Sequence, residues 1–256
     1  MSREWPQRAL MNPWPALLSA GLIAGQSVRT RGVRRTALFA ALGRGLPALA
    51  EAYAVTLRRE LRHHTQPQLK GVPLNAILGW YTITYAVFSL LESIGRRHGL
   101  DGRVPRWVLP PSTAAVATSL DLILDCVGLD LGLWEWSQGG PYAPEVMGPN
   151  GQHGIPVANF VSWLALTGSV TGCYLLLEPR LGEGPPPQGT ADQLPATTGR
   201  IAALVLLPYY LAGAGWALGR RRPRYLLYSA LCPLVLAHAL TAPRRGRSAK
   251  APVTPR

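Results

Sequence analysis

The sequence predicts an all-α, polytopic integral membrane helix bundle with six or seven transmembrane helices, on three observations. Charged residues make up 15% of the 256 residues and hydrophobic residues 48%, where a soluble domain carries about 25% charged side chains. Charge is also segregated: no Lys or Arg lies between Trp107 and Pro179, while six acids do (Asp121, Asp125, Asp130, Glu135, Glu145 and Glu178). Finally, the 26 basic residues fall into short clusters such as Arg29–Arg35, Arg58–Lys70, Arg96–Arg106 and Arg220–Arg224. Between the clusters lie apolar runs of the roughly 17–25 residues that cross a hydrocarbon core.

The same numbers exclude other classes. The apolar content is too high for a disordered chain, and three cysteines are no disulfide framework. A net charge of +13 could suggest nucleic acid, but such binders gather their bases on one face or arm. Here the bases punctuate hydrophobic runs, as flanks of membrane helices beside anionic lipid headgroups do. Membrane lipids, and no nucleic acid, are the expected surroundings.

The runs are read in order. The first, Asn12 to Ser27, opens on Pro13, Trp14 and Pro15; a secretory signal peptide competes with a first helix, but no clean small-residue cleavage site is present and further spans follow. The second, Thr36 to Leu57, is interrupted by Arg44, Pro47 and Glu51. The third, Val72 to Ile94, has Pro73 at its first turn, where a missing N–H costs nothing. The fourth follows Pro110-Pro111 and reaches Leu131, the fifth is Ile155 to Leu177, the sixth Arg200 to Leu218 and the seventh Arg224 to Leu240. Residues 1–241 then form one transmembrane domain. Gly132 to Gly154 is expected as a loop rich in Gly, Pro, Trp and Tyr, Gly182 to Thr198 as a flexible linker, and 242–256 as a basic disordered tail. The distribution of Arg and Lys slightly favours a cytoplasmic C-terminus in the cell membrane.

One internal similarity is visible. Gly71-Val72-Pro73-Leu74 and Gly154-Ile155-Pro156-Val157 each open a helix, and each is followed by a Trp seven residues after the Pro (Trp80 and Trp163). Each also has an Asn early on, Asn75 and Asn159, at offsets that differ by one. Internal repeats of this kind often place a site at their interface.

Ionisable groups inside a span are costly and mark function by default. Asp121 and Asp125 are spaced i, i+4, so both carboxyl groups lie on one helix face, continued by Gly128 and Gly132. That stripe suits an elongated apolar ligand. Like charges one turn apart disfavour double ionisation, and a carboxyl held neutral is what a general acid needs. From the residues alone, a structural network with Arg44 or with polar groups on other helices is equally open. Glu51 is the third acid near membrane depth, seven residues after Arg44; it is read as that arginine's partner or as a side chain reaching the interface. Trp134-Glu135-Trp136 through Tyr142 is read as an interfacial aromatic belt or as a lid over a site. His63 and His64 fall in a basic loop, with His153 and His238 elsewhere; none has a second ligand at metal spacing, so no metal is expected. Cys126, Cys173 and Cys232 are read as packing residues. No Walker loop, dinucleotide fingerprint or nucleophile elbow occurs, which leaves a nucleotide or flavin cofactor without support.

The run SLDLILDCVGLDLGLWEWSQGGPY, followed by GIPVANFVSWLALTG, resembles the membrane family of carotenoid biosynthesis proteins, which includes carotenoid 1',2'-hydratases and bisanhydrobacterioruberin hydratase. The matching residues are Asp121, Asp125, Gly132, Trp134, Trp136, Gly140, Tyr142, Gly154, Pro156, Asn159 and Trp163. Two departures stand out: Ala143 to His153 is inserted between the Gly-Tyr and Gly-Val-Pro elements, and Trp163 follows Ser162 rather than Gly. The resemblance implies a cofactor-independent hydratase that adds water to a terminal double bond of an acyclic carotenoid end group, of lycopene or gamma-carotene type. The acid and cation chemistry of that reaction assigns Asp121, Asp125 and Glu51 as catalytic groups, and Asn159, Asn75, Trp134, Trp136, Tyr142, Trp163 and Trp80 as substrate-binding ones. Other enzymes of the pathway are expected partners. A cyclase or isomerase uses the same acid and cation chemistry, a transporter would use the acids as a proton relay, and a pigment-binding scaffold would need neither.

Overall fold

The computed structural model describes residues 13–98, 105–182 and 193–241. Helix α1 spans Trp14–Arg31 and α2 Val33–Ala52. Between them Gly32 turns the chain at φ 81°, a left-handed conformation open to glycine, and the Thr36 hydroxyl donates to the Gly32 carbonyl at 2.8 Å. Pro47 sits inside α2 without ending it. Six residues later the helix widens into a π-helical turn, Tyr53–Arg58, that stops at Arg59 with φ 53°; such turns are rare and frequent at functional sites. Glu51 is held just before it.

Strand β1 (Leu61–His63) and a two-residue hairpin of β2 (Gln68–Leu69) and β3 (Val72–Pro73) lead into α3, Leu74–Arg97. A 3-10 turn at Arg106–Val108 then leads into α4, Leu109–Asp130. The segment expected as an irregular loop instead holds β4 (Trp134–Trp136), β5 (Tyr142–Met147) and β6 (His153–Ile155). Strand β4 pairs antiparallel with β1, and β5 pairs with β6. The inserted residues therefore form a hairpin. It turns at Gly148–Gln152, where the Gly148 N–H donates to the Gln152 carbonyl at 2.9 Å. Helix α5 runs Val157–Leu177, α6 Gln193–Gly219, α7 Arg224–Tyr228 and α8 Leu231–Thr241.

The fold is an all-α membrane bundle, and among the described residues four helical segments are long and apolar enough to cross a bilayer: Leu74–Arg97, Arg106–Asp130, Val157–Leu181 and Thr197–Gly219. Two expectations are corrected. Helix α6 begins at Gln193, inside the stretch expected as linker; residues 183–192 of that stretch, and the tail 242–256, lie outside the described residues. The seventh run breaks at Ser229-Ala230, leaving α8 with 11 residues, or about 16 Å of helix against a hydrocarbon core of about 30 Å. Helices α1 and α2 have the length of a span but carry Arg29 and Arg31, and Arg34, Arg35, Arg44 and Glu51.

Helices α3 and α4 occupy the centre and are mostly buried, whereas α5 and α6 turn most of their surface outward. Their exposed residues include Val161, Leu164, Leu176, Leu204, Leu211 and Leu218. An all-round apolar helix with an exposed apolar face is what a lipid-facing span requires. Inside, Phe39 is fully buried among Tyr85, Phe88 and Tyr174, with ring centroids 4.9–5.6 Å away. The antiparallel order places the starts of α1, α3 and α5 and the ends of α2, α4 and α6 at one end, where the short strands cap the bundle.

Candidate active site

A cavity of about 350 Å³ lies at the capped end of the bundle, within the range of about 300–1,000 Å³ usual for small-molecule sites. Helix α4 contributes Asp121, Leu124, Asp125 and Val127, and α5 contributes Asn159 and Trp163. Both aspartates are buried. The spacing that puts them on one face also presents them to a single partner: Asn159 Nδ2 donates to Asp125 Oδ2 at 2.5 Å and to Asp121 Oδ2 at 3.3 Å. One amide thus ties two carboxyl groups together, and among the described residues no Arg or Lys lines the cavity.

Glu51 closes another side. Its Oε1 accepts from Trp80 Nε1 at 3.0 Å, and its Oε2 lies 2.8 Å from His63 Nε2. The expected pair with Arg44 does not form: that guanidinium lies over the Tyr81 ring, 4.7 Å from its centroid. An aromatic face attracts a cation without a formal counter-charge.

The cap follows from strand periodicity. In a strand, residues two apart share a face, and the β1–β4 register sets Leu61 opposite Trp136, Arg62 opposite Glu135 and His63 opposite Trp134. Leu61, His63, Trp134 and Trp136 all line the cavity, while Arg62 and Glu135 form an outer pair at 3.7 Å. The two tryptophans therefore belong to a lid. Gly128 is what lets the lid settle: a Cβ there would fall 1.9 Å from Trp134 Cζ2.

The two similar segments meet here. Gly71 and Gly154 both have positive φ, 81° and 70°, and Pro73 and Pro156 both cap their helices in extended conformation. The Trp80 and Trp163 rings stack with centroids 3.6 Å apart and planes 18° from parallel. Asn75, the counterpart of Asn159, lines the same cavity, but its Oδ1 is taken up locally by the Ala76 N–H and Thr65 hydroxyl.

Residues 11–215 match the family described as carotenoid biosynthesis protein. The chain belongs to that family. The match takes in every wall of the cavity, since the last lining residue is Ala212. No curated protein and no solved structure matches the chain. Carotenoid biosynthesis is thus the role that family membership assigns.

Of the ten residues expected at this carotenoid biosynthesis protein's site, nine line the cavity: Asp121, Asp125, Glu51, Asn159, Asn75, Trp134, Trp136, Trp163 and Trp80. Tyr142 does not. It sits behind α4, donating its hydroxyl to the Leu122 carbonyl at 2.8 Å and packing on Phe160 and Tyr225. Sequence reasoning missed His63, which spacing alone left in a basic loop. It also missed the α1 and α6 wall formed by Pro15, Ala16, Ser19, Pro208, Tyr209 and Ala212. The alternation Leu61-Arg62-His63, with a basic side chain set between an aliphatic one and an imidazole, is the one signal that could have flagged the strand.

Proposed function

We propose that this protein is a carotenoid hydratase, adding water across the terminal C1=C2 double bond of an acyclic end group without a cofactor. The observation that carries the reading is the Asp121–Asn159–Asp125 cluster: two carboxyl groups bridged by one amide in a largely apolar cavity that no Arg or Lys lines among the described residues. Such a cluster has little use as an ion pair and good use as a proton donor.

The chemistry is written in three steps. Asp121 or Asp125 in its acid form protonates C2, the less substituted carbon, and leaves a tertiary cation at C1. The remaining carboxylates stabilise that cation at close range in a site of low polarity. Water then adds to C1, and Glu51 takes the proton it releases, with His63 holding Glu51 in place through the 2.8 Å contact. Proton exchange with solvent returns Glu51 and the aspartate to their starting forms. The indoles of Trp80, Trp163, Trp134 and Trp136 line the cavity with flat apolar surface suited to a conjugated chain. A substrate of lycopene or gamma-carotene type, a cell-membrane location with the C-terminus in the cytoplasm, and contact with other enzymes of the pathway belong to the same proposal.

The test is expression in a host that makes lycopene or gamma-carotene, with pigments analysed by chromatography and mass spectrometry. A product one water heavier is expected. It should fall at least a hundredfold in Asp121→Asn and Asp125→Asn variants, the range usual for loss of general acid catalysis. An isomer of unchanged mass would replace hydration by cyclisation. Undiminished product from both variants in correctly inserted protein would overturn the mechanism.

A further inference from the structure

A second cavity, of about 270 Å³, lies against the first and shares Glu51, Leu61, Trp80, Trp136 and Asn159 with it as a common wall. Its other sides come from Ala50 and Ala54 near the end of α2, Glu60, the Ser137–Gly139 loop, and the start of α5 from Pro156 to Leu166. The two spaces differ in kind. Indole rings and aliphatic side chains dominate the first, and the second adds Glu60, Ser137, Gln138 and Ser162. Ser137 and Gln138, in the loop after β4, are exposed, so this chamber opens outward at the capped end of the bundle.

The common wall is where the polar groups concentrate. Glu51 and Asn159 border both spaces, and Asn159 carries the hydrogen bonds to the aspartates. Trp136, 8% exposed, has its Nε1–H buried without a hydrogen-bond partner among the described residues. A buried donor that no protein group satisfies calls for an ordered water or ligand oxygen. Hydration needs one water at the C1 cation while bulk water stays away from the polyene, and a polar chamber behind a carboxylate meets that need.

We propose that the second cavity is the water chamber of the site, and that Glu51 and Asn159 pass water from it to the cation formed in the first. This inference rests on the hydratase reading. The step balances as written above: water supplies its oxygen to C1 and one proton to Glu51, and the other proton stays on the new hydroxyl. When water does not arrive, the cation loses a proton from a methyl group or from C2 to a carboxylate, regenerating an alkene of unchanged skeleton.

The experiment follows that partition. Full-length protein in membranes is given lycopene in D2O, and the ratio of hydrated product to deuterium-labelled alkene is measured by mass spectrometry. The chamber is filled with Ala54→Leu and, separately, Ser162→Leu, with Val161→Leu, on the outer face of α5 and lining neither cavity, as the control. None of these residues lines the first cavity. The filled variants are expected to lower the ratio at least tenfold while still labelling the alkene, which shows that they fold and that the acid step survives; Val161→Leu should keep the wild-type ratio. An unchanged ratio in both filled variants overturns the water chamber but leaves the hydratase reading standing. Parallel loss of hydration and labelling also overturns it, because filling would then affect more than water. If the wild-type protein forms no hydrated product, the hydratase reading itself fails.

Discussion

Trp80 and Trp163 stack face to face at 3.6 Å, each placed seven residues after a helix-capping proline in segments 83 positions apart. Two copies of one local pattern, Gly at positive φ, Pro in extended conformation, then a helix, are thus joined through their aromatic residues in the wall of the site. The stack also fixes an acid, since Trp80 Nε1 donates to Glu51 Oε1 at 3.0 Å.

That double role separates two substitutions. Trp163→Ala removes the stack, worth about 0.5–1.5 kcal/mol beyond the buried area, and should lower both thermal stability and turnover. Trp80→Phe keeps an aromatic face but deletes the donor to Glu51. It should lower the melting temperature less than Trp163→Ala does while cutting turnover about tenfold, the equivalent of roughly 1.4 kcal/mol in the barrier. Equal losses in stability and turnover for the two variants would show that the bond to Glu51 does not matter to the reaction.

Much of this site was legible in the sequence because its residues obey local periodicities. Asp121 and Asp125 are four apart on a helix, and Trp134 and Trp136 are two apart on a strand; each spacing guarantees a shared face. The Pro-to-Trp repeat likewise announced that Trp80 and Trp163 are equivalent. What escaped were pairings between segments distant in sequence. Nothing local shows that His63 faces Trp134 across a two-stranded sheet, so its place beside Glu51 was hidden. Charge complementarity offers Arg44 as a partner for the acids, but its guanidinium lies over the Tyr81 ring, 4.7 Å from the centroid. Tyr142 was placed at the site because it follows the Trp motif. The chain turns at Gly139 and Gly140 between them, where a Cβ would meet the His153 and Ile155 carbonyls at 2.2 Å, and this carries Tyr142 behind α4.

Gly128→Ala is predicted to disable the lid. The added methyl would overlap the Trp134 ring, with its Cζ2 1.9 Å away, and an indole packed over a cavity cannot yield as a flexible chain end would. Overpacking of this kind costs about 1–3 kcal/mol, most of it expressed here as displacement of Trp134. Turnover should fall at least tenfold in protein that still inserts, with a change in tryptophan fluorescence. Unaltered fluorescence and turnover would mean that the lid tolerates the shift.

Glu145 gives a prediction about pH. It lies on β5, where the Tyr225 hydroxyl and the Arg224 guanidinium bind its carboxylate. Burial alone would raise its pKa, but these two groups outweigh it and hold the carboxyl below the usual carboxylate range. A group whose folded pKa is depressed stabilises the protein above its unfolded pKa, and the contribution disappears as pH falls through the folded value. Glu145→Gln should therefore melt slightly below wild type at pH 7, by no more than the roughly 1 kcal/mol typical of exposed pairs. The gap should close in acid. A gap that persists below pH 3 would assign the stabilisation to something other than the carboxylate charge.

The wall made by α1 and α6 predicts how a membrane-dissolved substrate gets in. Pro15 and Ala212 line the cavity and are also exposed on the outside of the bundle, so the cavity meets the lipid-facing surface between these helices. A long polyene can place its end group at the aspartates and leave the rest of the chain in the bilayer. Ala212→Trp should obstruct that gap, raising KM for a full-length carotenoid several-fold. A short isoprenoid alkene, which has no chain to thread through the opening, should be much less affected, because the aspartates and Glu51 are untouched. Measuring both substrates on the same membranes separates obstruction from damage. Equal impairment would indicate a distorted site, and no impairment of either would move the entrance away from α1 and α6.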